Sequence, residues 1–194
     1  ELYQDNPHVW LDPELYIRQI ENVRDGLLSC LYSATFKAED LANEDREKII
    51  QAVIENAAAY IDRVMAVEQQ LDEISDSFKS AYQDKLPKAV IFHDSFAYIA
   101  KRIGMPVAYS IPLDHDTSLS AEEIANIIDD VKKEEIAFLF TEEQYSDSVA
   151  RRIEAETTAK MYIIDSAVTG DGSKDSYIAA MEGNIKVLKS ALLK

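Results

Sequence analysis

Length, composition and charge describe an acidic globular chain and exclude several classes of protein. The 194 residues suffice for one ordinary domain or for two small lobes that share a helix, and 47% of them are hydrophobic. The formal net charge of −16 disfavours nucleic acid and anionic lipid as partners, so we expect no nucleic-acid binding.

The single cysteine, Cys30, excludes an internal disulfide and any cysteine-rich zinc motif. It continues an apolar helical spacing, and we therefore expect a buried thiol. That spacing comprises Tyr16, Ile20, Val23 and Leu27. The chain starts at Glu1 with neither an initiator methionine nor a signal peptide, so we interpret it as a processed or trimmed part of a longer protein.

The first predicted helix follows the sequence NPHVWLDP at residues 6–13, which contains a histidine and the only tryptophan. Asp12 can cap the free amides of the helix, Pro13 fits its first turn, and Glu14 suits the positive end of the helix dipole. The helix is expected to run to about Leu31. The histidine has two interpretations, a loop residue that packs against the core or a metal ligand.

The longest predicted helix runs from Asp45 to about Tyr82, after a polar joint over 37–44, and contains neither glycine nor proline. Its apolar residues recur every three or four positions and so share one face. About 38 residues would span about 55 Å, which is long for a compact domain of this size. Both a coiled coil and a strut that crosses two lobes fit this pattern, and the irregular steps favour the strut.

After Leu86, short apolar runs alternate with helical segments, which predicts an α/β lobe with a four-stranded parallel sheet and flanking helices. We expect strands at 89–92, 107–111, 136–140 and 161–164, buried on both faces. We expect helices near 95–103, 120–133, 145–157 and 174–192, the second of which begins with a capping box at Ser120.

Imidazole and carboxylate side chains follow three of the predicted strands. They are His93 with Asp94, Glu142 with Glu143, and Asp165. Because ligands of parallel α/β sheets bind beyond the carboxyl ends of the strands, these side chains are candidates for a Zn²⁺ or Mn²⁺ site. On the residues alone, His93 could instead be a loop histidine that caps the next helix, and Asp165 could be an N-cap or turn residue.

Four segments together resemble the zinc/manganese solute-binding proteins of bacterial ABC importers: PHVWLDP, VIFHDSFAYIAKRIG, FLFTEEQYSDSVARRIEAET and YIID. The resemblance implies two lobes joined by one long helix, with the metal in the cleft between them. It matches His8, His93 and Asp165 to the second, third and fourth ligand positions of that family, with Glu142 as a rival carboxylate. Trp10 is expected to hold the loop that carries His8.

The resemblance also implies that most of the N-terminal lobe, with the first ligand histidine, is missing. It divides the chain into a remnant of that lobe at 1–44, the linker helix at 45–84 and the C-terminal α/β lobe at 85–194. The remaining histidine, His115, lies among aspartates in a loop, and we do not count it as a ligand.

The family implies a binding protein rather than an enzyme. It would capture a divalent transition metal, with zinc favoured and manganese possible as cargo, and deliver it to an ABC permease. Its place would be the periplasm or the outer face of the cell membrane, the latter through a lipid anchor. Two other hypotheses stay open: a zinc hydrolase with three protein ligands and a bound water, and an adhesin-like interaction module without metal, for which a homodimer is plausible.

Overall fold

The computed structural model describes residues 6–33, 43–83, 85–111, 119–142 and 147–193. Helices α1 to α6 are Pro13–Tyr32, Asn43–Tyr82, Ala97–Ile103, Ala121–Lys133, Ser148–Glu156 and Ser176–Leu192. Strands β1 to β4 are Ala89–Ile91, Val107–Ser110, Phe138–Glu142 and Lys160–Ile164. Short 3₁₀ helices at Val9–Leu11 and Asp94–Phe96 precede α1 and α3.

The four strands form one parallel sheet in the order β2-β1-β3-β4, which confirms the predicted α/β fold class. The central strands β1 and β3 are buried along their whole length. The expectation of complete burial is wrong for β2 and β4, whose residues are mostly half-buried or exposed. These two strands lie at the edges of the sheet, so each has a neighbouring strand on one side only.

Helices cover both faces of the sheet, because alternate residues of each strand point to opposite sides. One face packs against α2, α3 and α6, in a core that includes Ile91, Phe140, Leu71, Ile99 and Met181. The other face packs against α4 and α5, with Val90, Leu139, Ile128 and Ile153. Leu11 is fully buried in the first of these cores, and it thereby anchors the loop that precedes α1.

Helix α2 is the long helix that the sequence predicts, and its 40 residues span about 60 Å. Only its C-terminal half is buried in the core, at Val64, Val67, Leu71, Ile74 and Phe78. The N-terminal half lies beside α1, where the ring centroids of Tyr16 and Tyr60 are 6.4 Å apart. None of the helices in the described ranges is long and apolar enough to cross a bilayer.

The C-terminal part of the apolar stripe on α1 is exposed, whereas Tyr16 and Ile20 pack against the core. Val23 is 63% exposed and Leu27 is 48% exposed. Cys30 is exposed as well, so the expectation of a buried thiol is wrong. The spacing of these residues correctly indicates one face of a helix, but periodicity does not tell which faces find a partner in the fold.

Candidate metal centre

Two histidine rings from distant parts of the chain meet beyond the carboxyl ends of the strands. The ring centroids of His8 and His93 are 4.7 Å apart, with an interplanar angle of 76°. Their side chains are 15% and 16% exposed. His8 lies in the loop before the first 3₁₀ helix and His93 follows β1, so the packing of that loop onto the lobe brings the two rings together.

Asn6 holds the ring of His8. The Asn6 side chain is buried, and its Nδ2 donates a hydrogen bond to the backbone carbonyl of Asp94 at 2.9 Å. Its Oδ1 accepts from the backbone N–H of His8 at 3.0 Å and lies 2.9 Å from His8 Nδ1. Because these bonds fix Oδ1 as an acceptor, Nδ1 of His8 carries the proton and the lone pair of the ring is on Nε2.

Trp10 connects the same loop to the segment after β4. Its indole N–H donates a hydrogen bond to the carbonyl of Ser166 at 2.8 Å. The Tyr177 hydroxyl donates to the carbonyl of Trp10 at 2.9 Å. The indole ring also contacts the imidazole of His8 edge-on, with centroids 5.3 Å apart. Trp10 therefore fixes the loop against the strand end that carries Asp165.

A buried carboxylate, Glu142, contacts the ring of His93. Its Oε1 lies 2.9 Å from His93 Nδ1, and its side chain is only 3% exposed. The hydroxyl groups of Ser95 and Ser166 also donate to this carboxylate. Burial acts to raise the pKa of Glu142, but these hydrogen bonds outweigh it and leave the pKa below its ordinary value, so the group is ionised at neutral pH.

Asp94 lies beside both rings, at the solvent edge of the cluster. Its Oδ1 is 3.4 Å from His8 Nδ1 and 3.7 Å from His93 Nε2, and its side chain is 42% exposed. Donor atoms of His8, His93 and Asp94 all lie within 4.8 Å of one another. The sequence placed Asp94 directly after β1, and that position was the only signal for its presence at this edge.

Asp165 follows β4, as the sequence indicates. Within the described residues, its carboxylate is not part of the group of possible metal-ligand atoms formed by His8, His93 and Asp94. Its Oδ1 accepts the backbone N–H of Ala167 at 2.8 Å. The buried Asn184 binds both the backbone N–H and the carbonyl of Asp165, each at 2.7 Å. Asp165 is linked to His8 through its neighbour Ser166, whose carbonyl binds Trp10, and the ring of Trp10 contacts that of His8. His115 and Glu143 lie outside the described residues.

Burial of the ring and the neighbouring imidazole of His93 lower the pKa of His8, although Asp94 and Glu142 act in the opposite direction. The ring is accordingly neutral at neutral pH. Neutral imidazole is the form that binds a transition metal, and two imidazoles with nearby carboxylates suit Zn²⁺ or Mn²⁺. The arrangement can therefore hold a divalent cation at a shielded position beyond the carboxyl ends of the strands.

A parallel α/β lobe, a long helix and a shielded histidine pair are the features that the resemblance to metal solute-binding proteins implies. Residues 31–191 match the family described as "Zinc-uptake complex component A periplasmic", ZnuA, and the chain belongs to this family of metal-binding proteins of bacterial ABC importers. The predicted family is thus confirmed.

Two curated relatives and one solved structure illustrate the similarity. The chain is 29% identical to the zinc-binding lipoprotein AdcA of Streptococcus pneumoniae over 191 residues, which cover 96% of this chain and 34% of AdcA. It is 23% identical to the metal ABC transporter substrate-binding lipoprotein FimA of Streptococcus parasanguinis, over 97% of this chain and 56% of FimA. The Zn(II)-bound ZnuA-like domain of S. pneumoniae AdcA superposes with a TM-score of 0.67 at 27% identity, over 97% of this chain and 64% of that domain. The chain thus spans between about a third and just over half of these curated relatives.

Proposed function

We propose that this chain binds a divalent transition metal outside the cytoplasm, zinc in preference to manganese, and delivers it to an ABC permease without chemical turnover. The observation that carries the proposal is the approach of the His8 and His93 rings to 4.7 Å between centroids. The zinc-binding relative AdcA and the periplasmic description of the family support zinc as the cargo and an extracytoplasmic location.

The proposed ligands are His8, His93 and Asp165. Each imidazole would coordinate through Nε2, because Nδ1 of each ring lies 2.9 Å from an internal acceptor, the oxygen of Asn6 or of Glu142. Asp165 would supply the carboxylate from the end of β4, through the oxygen that does not accept the N–H of Ala167. Two imidazoles and one carboxylate form a set that zinc accepts readily.

Capture is favoured because the ring of His8 is neutral and both rings are already oriented. A metal that exchanges water for ligands held in place loses little free energy to side-chain ordering. The net charge of −16 also attracts cations at long range. Release at the permease would separate the loop that carries His8 from the end of β1, which divides the ligand set.

In the proposed division of the chain, residues 1–44 and 85–194 hold the ligands on either side of the linker at 45–84. His8 then belongs to the first segment, and His93 and Asp165 belong to the last. A relative movement of the two segments would change the distance between the two imidazoles, so the division offers a physical route for uptake and release.

A zinc titration against a competing chromophoric chelator tests the proposal. The chain should bind one zinc ion, and His8→Ala and His93→Ala should each weaken binding at least about tenfold, because each removes one nitrogen ligand. The matched control is His115→Ala, which removes the third histidine of the chain and should leave the affinity unchanged. Equal losses in all three variants, or no zinc binding by the unmodified chain, would contradict the proposal.

A second measurement separates binding from hydrolysis. The zinc-loaded chain should leave model esters and peptides intact over hours, because a binding protein encloses its metal rather than presenting an activated water. Zinc-dependent hydrolysis that disappears in His93→Ala would show an enzyme instead.

A further inference from the structure

We propose that Glu142 is the residue that positions His93 for the metal, by fixing the protonated nitrogen of the ring and thereby directing Nε2 toward the cation. This inference rests on the proposed function, because it concerns how one proposed ligand is prepared for binding.

The register of the sheet places Glu142 beside His93. Strands β1 and β3 are parallel neighbours, with Ile91 opposite Phe140. The backbone N–H of Phe92 still donates to the carbonyl of Phe140 at 3.0 Å, so the pairing continues past the end of β1. Two residues further along each of the two paired segments, His93 and Glu142 come side by side on the same face. Their contact therefore follows from the central strand pair of the fold rather than from a surface loop.

The carboxylate is held in place by more than the histidine. Ser95, in the 3₁₀ helix after His93, donates a hydrogen bond from its hydroxyl group to Glu142. Ser166, after β4, donates a second one. Donors from three segments thus converge on one side chain that is 3% exposed. Burial of an ionised carboxylate is costly unless hydrogen bonds compensate it, and this set of donors provides that compensation.

Two hydrogen bonds at Nδ1 of His93 require opposite ring tautomers. The carboxylate of Glu142, at 2.9 Å, can only accept, so this bond needs a proton on Nδ1. The backbone N–H of Ser95 points to the same nitrogen at 3.4 Å, and that contact needs a lone pair on Nδ1 and a proton on Nε2. The second tautomer cannot coordinate a metal through Nε2.

Glu142 decides between these tautomers. Its contact with Nδ1 is shorter and charge-assisted, so it outweighs the helix-capping contact from Ser95. The lone pair of the His93 ring then lies on Nε2, the nitrogen that is 3.7 Å from Asp94 Oδ1. A carboxylate on the far nitrogen also makes the ring a stronger donor to the metal, and loss of such a partner typically weakens metal affinity about ten- to a hundredfold.

The first test reads the tautomer in the metal-free protein by ¹⁵N NMR of the histidine rings. In the unmodified chain, the neutral ring of His93 should carry its proton on Nδ1 and leave Nε2 unprotonated. In Glu142→Leu, which removes the acceptor for Nδ1–H, the population should shift toward a protonated Nε2, because only the contact from the Ser95 N–H then remains at Nδ1. An unchanged tautomer in this variant would overturn the inference, whatever the outcome of any zinc measurement.

The second test is a double-mutant cycle on zinc affinity. Glu142→Gln should weaken zinc binding about ten- to a hundredfold in the unmodified background and should have no further effect in His93→Ala, because it acts through that ring. Glu73→Gln, which removes an exposed carboxylate from α2, is the charge-matched control and should bind zinc normally. An equal loss from Glu142→Gln in both backgrounds would assign Glu142 a general structural role instead.

These outcomes separate the two proposals. Absence of zinc binding by the unmodified chain, or normal binding by His93→Ala, refutes the proposed function. Weak binding by His93→Ala together with normal binding by Glu142→Gln refutes only the role of Glu142.

Discussion

The indole N–H of Trp10 donates a hydrogen bond to the backbone carbonyl of Ser166 at 2.8 Å, across 156 positions of sequence. This bond joins the loop of one proposed ligand, His8, to the residue that follows another, Asp165. The hydrogen bond from the Tyr177 hydroxyl to the carbonyl of Trp10 adds a third element, α6. The relative position of the proposed ligands therefore depends on a few hydrogen bonds as well as on the apolar core.

Trp10→Phe should weaken zinc binding while it leaves the fold intact. Phenylalanine retains an aromatic ring against His8 but cannot donate to Ser166, and loss of such a bond costs about 1 kcal/mol. If the bond holds the ligand geometry, zinc affinity should fall by about fivefold, since about 1.4 kcal/mol corresponds to a factor of ten. Chelator competition measures the affinity, and urea unfolding checks stability.

The control for this variant is Tyr32→Phe. Tyr32 is a 64% exposed aromatic residue at the end of α1, so its substitution should change neither quantity. Unaltered zinc affinity in Trp10→Phe would mean that the loop is held by the core, through residues such as Leu11.

The helices and central strands could be predicted because their signals are local. Asp12 caps α1 by accepting the backbone N–H of Glu14 at 3.0 Å, and Ser120 with Glu123 forms the predicted capping box of α4. The continuous apolar runs correctly indicate strands, and they indicate burial on both faces correctly for β1 and β3 but not for β2 and β4. Such features are decided within a few neighbouring residues, and the sequence displays them directly.

The parts of the site that could not be predicted depend on long-range hydrogen bonds. The contact between Glu142 and His93 joins residues 49 positions apart. Which residue of β3 lies beside His93 depends on the register of the sheet, and the apolar pattern does not specify that register. Asn6 was likewise missed, although its place two residues before His8 was a usable signal. The exposure of Cys30 was mispredicted for a related reason, since it depends on what packs against α1.

The free energy of unfolding of the metal-free chain should decrease as the pH falls below about 6.5. Burial and the nearby His93 lower the pKa of His8 in the folded state from the ordinary value of 6.5. Between the two pKa values the unfolded chain binds more protons than the folded chain does, so acidification favours unfolding. At higher pH the ring is neutral in both states, and this contribution no longer changes.

Urea unfolding of His8→Asn between pH 5 and 8 measures this contribution. Asparagine does not titrate in that range, so the variant should show a shallower decrease of stability on acidification. Zinc affinity of the unmodified chain should fall over the same range, because protons compete for the ring nitrogens. An identical pH dependence in the variant and the unmodified chain would contradict the assignment to His8.

Arg102→Ala should destabilise the fold. The guanidinium of Arg102, on α3, contacts two carboxylates of α2, Asp72 at 2.7 Å and Glu68 at 2.7 Å, and its side chain is 17% exposed. Hydrogen bonds to these two carboxylates raise the pKa of Arg102 despite the opposing effect of burial. Loss of such half-buried, charge-assisted bonds should lower the free energy of unfolding by about 1–3 kcal/mol.

The matched control is Arg18→Ala. Arg18 pairs with Glu14 on the exposed surface of α1, with both side chains more than half exposed, and such a pair contributes at most about 0.5 kcal/mol. Both variants are compared by urea unfolding at low and moderate salt. Equal destabilisation by the two substitutions would show that the bonds from Arg102 to α2 contribute no more than an exposed ion pair does.

Asp165 is the proposed third ligand, and Asp94 is the carboxylate that lies with the two histidines, so isosteric variants of these two residues are compared. Asp165→Asn retains an oxygen that can accept the N–H of Ala167, so the turn after β4 should persist while the negative charge is lost. If Asp165 coordinates the metal, this variant should bind zinc at least about tenfold more weakly, because an amide is a poorer ligand for zinc than a carboxylate.

Asp94→Asn should have a smaller effect on zinc affinity. Asp94 lies 3.4 Å from His8 Nδ1 and is 42% exposed, so its charge contributes to the local field through a partly solvated contact. Raising the salt concentration should therefore reduce the effect of Asp94→Asn and leave that of Asp165→Asn largely unchanged. The reverse ranking of the two variants would identify Asp94 as the ligand. It would also mean that the metal is held at the ends of the His8 loop and β1, without a contribution from β4.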